Sequence, residues 1–307
     1  MQTLVDVKNL VFEYPGKRVI NDTSFSLNEG TVTALVGPNG AGKTTLMKCL
    51  AAAESPLSGS IKILDMDTEE KPRECRSQIG FLPDTFGLYP TLTVHQHLEF
   101  MAGIHNVSTE QIANRIFDSI QLLNLQEHCD KPAGNLSRGL KQRLAIAMTI
   151  IHRPKLLILD EPASGLDPEA RKELSSLITG LNKEGMTILV SSHILSELED
   201  YCTTLLTCGN GKILANEDIS PRIGAKIIIE IRIINDAVRA KNLLIEKYQL
   251  DQLNLKDNLL TFSFSSKQED QNELLNFLIL NKVPIYSFTE IKRDLHDLYF
   301  QHLKDSK

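Results

Sequence analysis

The sequence predicts an α/β fold with a mostly parallel sheet and an inserted helical subdomain, followed by a small α+β domain. Three observations predict this class. A β-prone run leads through a glycine-rich loop into a helix, and short continuous apolar runs, typical of buried parallel strands, alternate with helical segments. After Ala215 the order becomes strand, helix, strand, helix, strand. A chain of 307 residues is long enough for one large and one smaller domain. Since the pattern changes after Ala215, we expect domains at 1–215 and 216–307.

The N-terminal part is predicted to contain several strands and one helix. The strands are expected at Leu4–Val7, Thr23–Leu27, Thr31–Val36 and Gly59–Ile63. The segment Thr45–Ala53 is rich in good helix formers and directly follows the glycine-rich loop. A strand, a loop and a helix therefore adjoin, which is the context that a phosphate-binding loop requires.

The glycine-rich loop matches the phosphate-binding pattern G-x-x-x-x-G-K-[ST]. Its candidate binding residues are Gly37, Pro38, Asn39, Gly40, Ala41, Gly42, Lys43, Thr44 and Thr45. Glycines let successive backbone N–H groups point inward at an anion, and the N-terminus of the next helix adds partial positive charge. Lys43 is expected to contact the β and γ phosphates, and the Thr44 hydroxyl to ligate Mg²⁺. The loop predicts a P-loop NTPase core that binds a nucleoside triphosphate.

The segment from about residue 84 to residue 151 is predicted to form the inserted helical subdomain. Apolar residues recur three and four positions apart in Thr93–Met101, Thr109–Leu123 and Leu140–Ile151. A further helix is expected at Pro168–Asn182, between two strand-like runs.

Polar side chains follow two later strands. Leu156–Leu159 runs directly into Asp160 and Glu161, and His193 comes soon after the apolar run Thr187–Ser191. Ligands of open α/β sheets bind at the carboxyl ends of parallel strands. There Asp160 suits a Mg²⁺ site, Glu161 suits the polarisation of an attacking water, and His193 suits a γ-phosphate contact.

The C-terminal part is predicted to be a small α+β domain with a ferredoxin-like order of elements. Strands are expected at Ile227–Ile233, Leu259–Phe264 and Pro284–Phe288, with a short one near Leu253, and helices at Ala237–Tyr248, Gln268–Leu280 and Asp294–Leu303. The segment carries no catalytic motif.

Composition narrows the class of function. The formal net charge of −6 gives no electrostatic attraction to nucleic acid. The five cysteines lack CxxC spacing and are expected to be small core residues in a reducing compartment. The sequence has neither a signal-peptide pattern nor an apolar run of bilayer length, so we expect a cytoplasmic chain.

Taken in order, the motifs resemble those of the ATP-binding subunit of ABC transporters over roughly residues 1–215. Gly37–Thr44 is similar to the Walker A motif, Leu136–Gln142 to the signature, Leu156–Asp160 to the Walker B motif and Ser164–Asp167 to the D-loop. The resemblance implies that Tyr14 stacks on adenine, that Glu161 is catalytic and that His193 is the switch histidine. It implies an ATPase that uses Mg²⁺.

The resemblance also implies partners. In this family each ATP lies between the Walker A motif of one subunit and the signature of another, so Ser137 and Gly139 of a second copy, or of a similar partner, would close over the nucleotide. ATP closes such a dimer and hydrolysis reopens it. A separate membrane permease is implied, which would hold the chain at the cytoplasmic face of the membrane. Phe86–His97 is expected to help form the groove for that permease.

The sequence departs from the common family pattern at two places. Asp84 stands where Gln usually contacts Mg²⁺ and the water, and it could still reach the metal through water. Arg138 and Leu140 stand where Gly and Gln are commonest. Arg138 could add charge near the partner's γ-phosphate or the membrane subunit, or lie on a solvated face. Both departures resemble the branch that works with ABC-2-type permeases, mostly exporters of drugs, peptides, lipids or polysaccharides.

The C-terminal segment Leu295–Phe300 also resembles that branch, and the α+β domain would support the dimer, regulate it or only stabilise the chain. The alternative function is a soluble ABC ATPase that acts on nucleic acid or ribosomes. Such proteins carry a long coiled coil or two ATPase units, and this sequence has neither. A non-enzymatic nucleotide sensor is a third class, against which Glu161 and His193 argue.

Overall fold

The computed structural model describes residues 2–192, 194–219, 226–248, 250, 253–265, 267–291, 299 and 302. The chain divides into two compact units, Met1–Glu217 with Tyr299–Lys307, and Asp218–Leu298.

The first unit is built from strands β1 to β10 and helices α1 to α7. The strands are β1 (Thr3–Tyr14), β2 (Lys17–Asn28), β3 (Val32–Val36), β4 (Ser58–Ile63), β5 (Met66–Asp67), β6 (Ile79–Leu82), β7 (Leu156–Leu159), β8 (Thr187–Ser191), β9 (Thr204–Gly209) and β10 (Lys212–Asp218). The helices are α1 (Lys43–Leu50), α2 (Pro72–Ser77), α3 (Val94–Ile104), α4 (Thr109–Leu122), α5 (Arg138–Ile150), α6 (Pro168–Lys183) and α7 (Leu195–Leu198). Single 3₁₀ turns lie at Gln126–His128 and Ala133–Asn135.

Two sheets form the first unit. One is four-stranded, in the order β2-β1-β4-β5, and the other is six-stranded, in the order β10-β9-β3-β8-β7-β6. The pairs β9–β3, β3–β8, β8–β7 and β7–β6 of the larger sheet are parallel. Every residue of β3, β7 and β8 is buried, as the continuous apolar runs predict. The predicted α/β class with a mostly parallel sheet is confirmed.

Helix α1 packs into the core that the two sheets share. Leu46, Met47 and Leu50 of α1 belong to one buried cluster with Val5 of β1 and Leu35 of β3. Each fully buried side chain of this size stabilises the fold by roughly 1.5–3 kcal/mol. The helix start is therefore fixed relative to the end of β3, and with it the loop between them.

Several elements were not predicted from the sequence: β5, β6, β9, β10, α2 and α7. Gly80 explains the case of β6, because a glycine inside a strand weakens the sequence signal. The structure requires it there, since a Cβ at Gly80 would overlap the carbonyl oxygen of Thr149 near the end of α5. Most of the predicted helix Asp294–Leu303 lies outside the described residues.

The second unit has a ferredoxin-like order of elements. They are β11 (Lys226–Ile233), α8 (Ala237–Tyr248), β12 (Asn254–Lys256), β13 (Leu259–Ser265), α9 (Gln268–Leu280) and β14 (Ile285–Ile291). The strands form one antiparallel sheet in the order β12-β13-β11-β14. The core joins residues of this sheet to one side of each helix, including Ile229, Phe262, Leu244 and Leu274. The predicted α+β fold is confirmed.

A candidate nucleotide-binding cleft

The glycine-rich loop joins β3 to α1 in a conformation that depends on its glycines. Gly42 has φ +100°, a left-handed conformation that residues with a side chain rarely adopt. A Cβ at Gly37 would overlap the carbonyl oxygen of Cys208 on β9. Lys43 is 8% exposed, and its Nζ donates to the carbonyl oxygens of Gly37 at 2.8 Å and Pro38 at 3.4 Å. The ammonium group therefore lies across the loop, where an anion would meet it.

A cleft of about 500 Å³ opens over this loop. It is lined by Tyr14, Lys17, Val19, Asn39, Gly40, Gly42, Lys43, Thr44, Thr45, Asp84, Glu161 and Ser164. The cleft thus brings together most of the predicted nucleotide and metal residues from four separate segments. Tyr14 is 38% exposed and forms a T-shaped pair with Phe12, with 4.9 Å between ring centroids, so part of its side chain is open to solvent.

Asp160 and Glu161 are held by one serine at the end of the neighbouring strand. Ser191 Oγ donates to Asp160 Oδ1 at 2.6 Å and accepts from the backbone N–H of Glu161 at 2.8 Å. Glu161 has φ +50°, an uncommon conformation for a residue with a side chain, and the Ser191 contact secures it. Ser191 therefore fixes the turn that carries the predicted catalytic carboxylate.

Asp160 fits the predicted Mg²⁺ site. The residue is 1% exposed, and its Oδ2 is buried with no hydrogen-bond partner among the described residues. A buried carboxylate oxygen without a partner is costly. A divalent cation, or water bound to one, would satisfy it. Thr44 and Asp84 line the cleft and supply the other predicted oxygen ligands.

The signature segment lies outside the cleft of its own chain. Ser137 is the N-cap of α5, and its Oγ accepts from the backbone N–H of Leu140 at 3.3 Å. Gly139 lies in the first turn of that helix. Neither residue is among the described residues that line the cleft. The N–H groups of this turn are therefore not offered to a nucleotide on the same chain.

A second cavity, the groove, has a volume of about 610 Å³ and adjoins the cleft. It is lined by Asp84, Thr85, Phe86, Leu88, Pro90, Ala133, Gly134, Arg138, Lys141, Gln142, Glu161 and Ser164. Asp84 after β6 and both Glu161 and Ser164 after β7 line the two cavities, so these two segments connect them. Of the predicted catalytic residues, His193 lies outside the described residues.

His97 holds the segment after β6 against the helical subdomain. The residue is fully buried, its Nε2 accepts from the backbone N–H of Tyr89 at 3.0 Å, and its Nδ1 lies 2.8 Å from the carbonyl oxygen of Thr93. These contacts require a neutral ring with the proton on Nδ1. Sequence reasoning identified neither His97 nor Ser191 as a supporting residue. The one available signal for Ser191 was its position at the end of a strand next to the strand of Asp160.

Comparison with known proteins identifies the family. The family model described as ABC transporter matches residues 20–164. A second model, described as AAA domain, putative AbiEii toxin, Type IV TA system, matches residues 130–199. The chain is 33% identical to the uncharacterized ABC transporter ATP-binding protein YcbN of Bacillus subtilis, over 98% of this chain and 97% of that protein.

Two further comparisons agree. The Nod factor export ATP-binding protein I of Burkholderia orbicola is 30% identical over 92% of this chain and 88% of its own length. A solved structure of an ATP-binding subunit of an ABC transporter is 31% identical, with a TM-score of 0.64 over 72% of this chain and 92% of that one. None of the described helices is long and apolar enough to cross a bilayer. The family that the sequence motifs resemble is thereby confirmed: the chain belongs to the ATP-binding subunits of ABC transporters, which hydrolyse ATP.

Proposed function

We propose that two copies of this chain bind and hydrolyse Mg²⁺·ATP between them and thereby drive a separate membrane permease that exports its cargo. One observation carries the proposal. The phosphate loop and Glu161 line one cleft, with Asp160 directly before Glu161 on the same turn, whereas Ser137 and Gly139 do not line it. A head-to-tail second copy would bring its signature to the open side of that cleft.

The residues divide the work as follows. Lys43 leaves the loop carbonyl oxygens to contact the β and γ phosphates, and the loop N–H groups bind the remaining oxygens. Tyr14 stacks on the adenine. Thr44, Asp160 and Asp84 would hold Mg²⁺, which supplies positive charge to the phosphates. Glu161 orients and polarises the attacking water, and His193 contacts the γ-phosphate. Ser137 and Gly139 of the second copy close over the same phosphate.

The central test is Glu161→Gln. The amide keeps the size of the side chain but cannot act as a base, so we expect hydrolysis to fall roughly a hundredfold or more while ATP binding persists. Without hydrolysis, the ATP-bound dimer should accumulate. Steady-state hydrolysis and light scattering after size exclusion with Mg²⁺·ATP measure the two effects.

Glu184→Gln is the matched control, since Glu184 is an exposed carboxylate at the C-terminal end of α6. It should leave hydrolysis unchanged. Wild-type hydrolysis in the Glu161→Gln variant would remove Glu161 from its role. A variant that stays monomeric with ATP would contradict the dimer.

The groove is the proposed docking site for the permease. It lies beside the cleft and shares Asp84, Glu161 and Ser164 with it, so a segment bound there contacts the residues that face the nucleotide. Tyr89 and Phe100 add exposed aromatic surface nearby, 59% and 48% exposed, with their rings edge-on at 6.1 Å. Export is supported by the similarity to the Nod factor export ATP-binding protein I.

Cysteine cross-linking tests the groove. Phe86→Cys, in the assembled transporter, should cross-link to a cytoplasmic segment of the permease, and Phe117→Cys on the exposed surface of α4 should not. A groove that stays free in the assembled transporter would overturn this part of the proposal. In that case the alternative of a soluble ATPase acting on nucleic acid or ribosomes gains support.

A further inference from the structure

Arg138 contacts the D-loop of its own chain. It begins α5 inside the signature, and its Nη2 donates to the carbonyl oxygen of Ser164 at 2.9 Å. The guanidinium also lies against Gly165, which has φ +67°. A Cβ at Gly165 would overlap the guanidinium carbon and both terminal nitrogens. The arginine therefore fills the space that a side chain in the D-loop would occupy.

The same D-loop turn carries Glu161 at its other end. The backbone N–H of Ser164 donates to the carbonyl oxygen of Glu161 at 3.0 Å. Glu161 is in turn tied to Ser191 through its own backbone N–H at 2.8 Å. Ser191 at the end of β8 thus holds the turn at Glu161, and Arg138 of α5 holds it at Ser164. A shift of that helix would be transmitted to the turn that positions Glu161.

We propose that Arg138 is a positioning residue that couples the two ATP sites of the dimer. This inference rests on the proposed function. In each copy, the signature binds the partner copy's ATP, and Arg138 links that signature to the Glu161 turn of its own ATP site. ATP binding at one site thereby changes the position of the Glu161 carboxylate at the other site. A cationic donor on a carbonyl oxygen makes a stronger link than a neutral one.

A contact with the partner's phosphate is the competing role for Arg138, and it makes a different prediction. A residue that binds phosphate contributes to ATP-dependent dimerisation, whereas a residue that orients the Glu161 turn affects the hydrolytic step. Packing between helices is a third role. Arg143 isolates that role, because it pairs with Glu173 and so joins α5 to α6 without touching the turn.

The experiment compares Arg138→Met with Arg143→Met. Each removes one guanidinium from α5. The hydrogen bond from Arg138 to Ser164 is exposed in the single chain, so its loss should have a moderate effect. We expect Arg138→Met to lower kcat roughly threefold to tenfold. The Hill coefficient for ATP should fall toward about one, as expected when two sites lose their coupling. Arg138→Lys, which can still donate to Ser164, should restore part of the loss, and Arg143→Met should stay near wild type.

Dimerisation is measured for the same substitutions in the Glu161→Gln background. The ATP concentration that gives half-maximal dimer should change less than about twofold, because the contact lies within one chain. Gly165→Ala should also displace the guanidinium, so its loss of kcat should not add to that of Arg138→Met.

Each other result overturns the inference. An unchanged kcat and Hill coefficient leave Arg138 without a role, and an equal loss in Arg143→Met assigns the effect to helix packing. Dimerisation weakened as much as kcat assigns Arg138 to the partner's phosphate. Wild-type hydrolysis that survives Glu161→Gln would overturn the proposed function as well. An Arg138→Met variant like wild type, in a protein that Glu161→Gln inactivates, overturns only this inference.

Discussion

The two compact units differ in what they bury. The first buries polar and charged side chains, including Lys43, His97, Asp160, Ser191 and Thr207. In the described part of the second unit, every buried side chain is apolar. Burying a polar group costs free energy unless the group is hydrogen-bonded. Buried polar groups are therefore found mainly where structure or function needs them. We therefore expect substitutions in the described core of the second unit to affect stability more than ATP hydrolysis.

The largest expected effect lies in the second unit. Phe262 is 2% exposed at the centre of its core. Phe262→Ala should destabilise that unit by about 3–5 kcal/mol, because the lost contacts leave a cavity. If the second unit affects stability more than hydrolysis, ATP hydrolysis by the folded protein should change less than about twofold. Calorimetry and ATP hydrolysis below the unfolding temperature measure the two effects.

A loss of hydrolysis in proportion to the loss of stability would break the comparison. It would mean that the second unit contributes to the catalytic cycle. Leu280→Ala is the matched control, since this side chain of α9 is 81% exposed and its truncation should alter neither property.

A smaller effect is expected from a hydroxyl in the first unit. Ser191→Ala removes the donor to Asp160 Oδ1 and the acceptor for the N–H of Glu161. We expect kcat to fall roughly tenfold with a small change in KM, since the turn is displaced but the phosphate loop is intact. The free energy of unfolding should fall by about 1–3 kcal/mol, because buried partners lose their bonds.

Thr33→Val supplies the matched control for Ser191→Ala. Thr33 is fully buried in β3 of the same sheet, and its Oγ1 has no partner among the described residues. Replacing an unbonded hydroxyl by a methyl group of similar size should leave hydrolysis unchanged and stability equal or higher. Equal losses in both variants would mean that any buried hydroxyl of the sheet matters, and Ser191 would then have no special role.

The sequence predicted what depends on pattern and missed what depends on single contacts. The strands β7 and β8 were predicted because they are continuous apolar runs, whereas Gly80 concealed β6. The phosphate loop, Asp160 and Glu161 were predicted because their chemistry dictates residue type and order. Ser191 was missed because a serine at a strand end has no pattern of its own. The contact of Arg138 with Gly165 depends on how α5 meets the D-loop, which only the folded chain reveals.

The smallest expected effect concerns a partly buried pair of histidines in the first unit. His105 and His152 stack face to face, with ring centroids 3.8 Å apart and the planes at 5°. His152 Nε2 donates to the carbonyl oxygen of Ile79 at 3.0 Å, and its Nδ1 is buried without a partner among the described residues. Burial, followed by the neighbouring His105, lowers the pKa of His152 to about 4, and Arg115 acts in the same direction. Burial also lowers the pKa of His105.

This pair should make the first unit sensitive to acid. The pKa of His152 in the folded chain lies below the ordinary histidine value of 6.5, so the unfolded chain binds more protons between pH 6.5 and about 4. Stability contributed by the neutral ring is therefore complete above pH 6.5 and is lost as the pH falls toward 4. After discounting for partial exposure, the loss is on the order of 1 kcal/mol.

Urea unfolding at pH 8 and pH 5 measures the effect. His152→Phe keeps a stacked ring without a titrating group and should reduce the pH dependence of the first unit. His95→Gln, which replaces an exposed histidine of α3, should keep the pH dependence of the wild type. The second unit, whose described buried side chains are all apolar, should respond less to the same pH change. If the free energy of unfolding of the wild-type first unit is the same at both pH values, protonation of this pair does not destabilise the fold. The contrast between the units would then be confined to the nucleotide cleft.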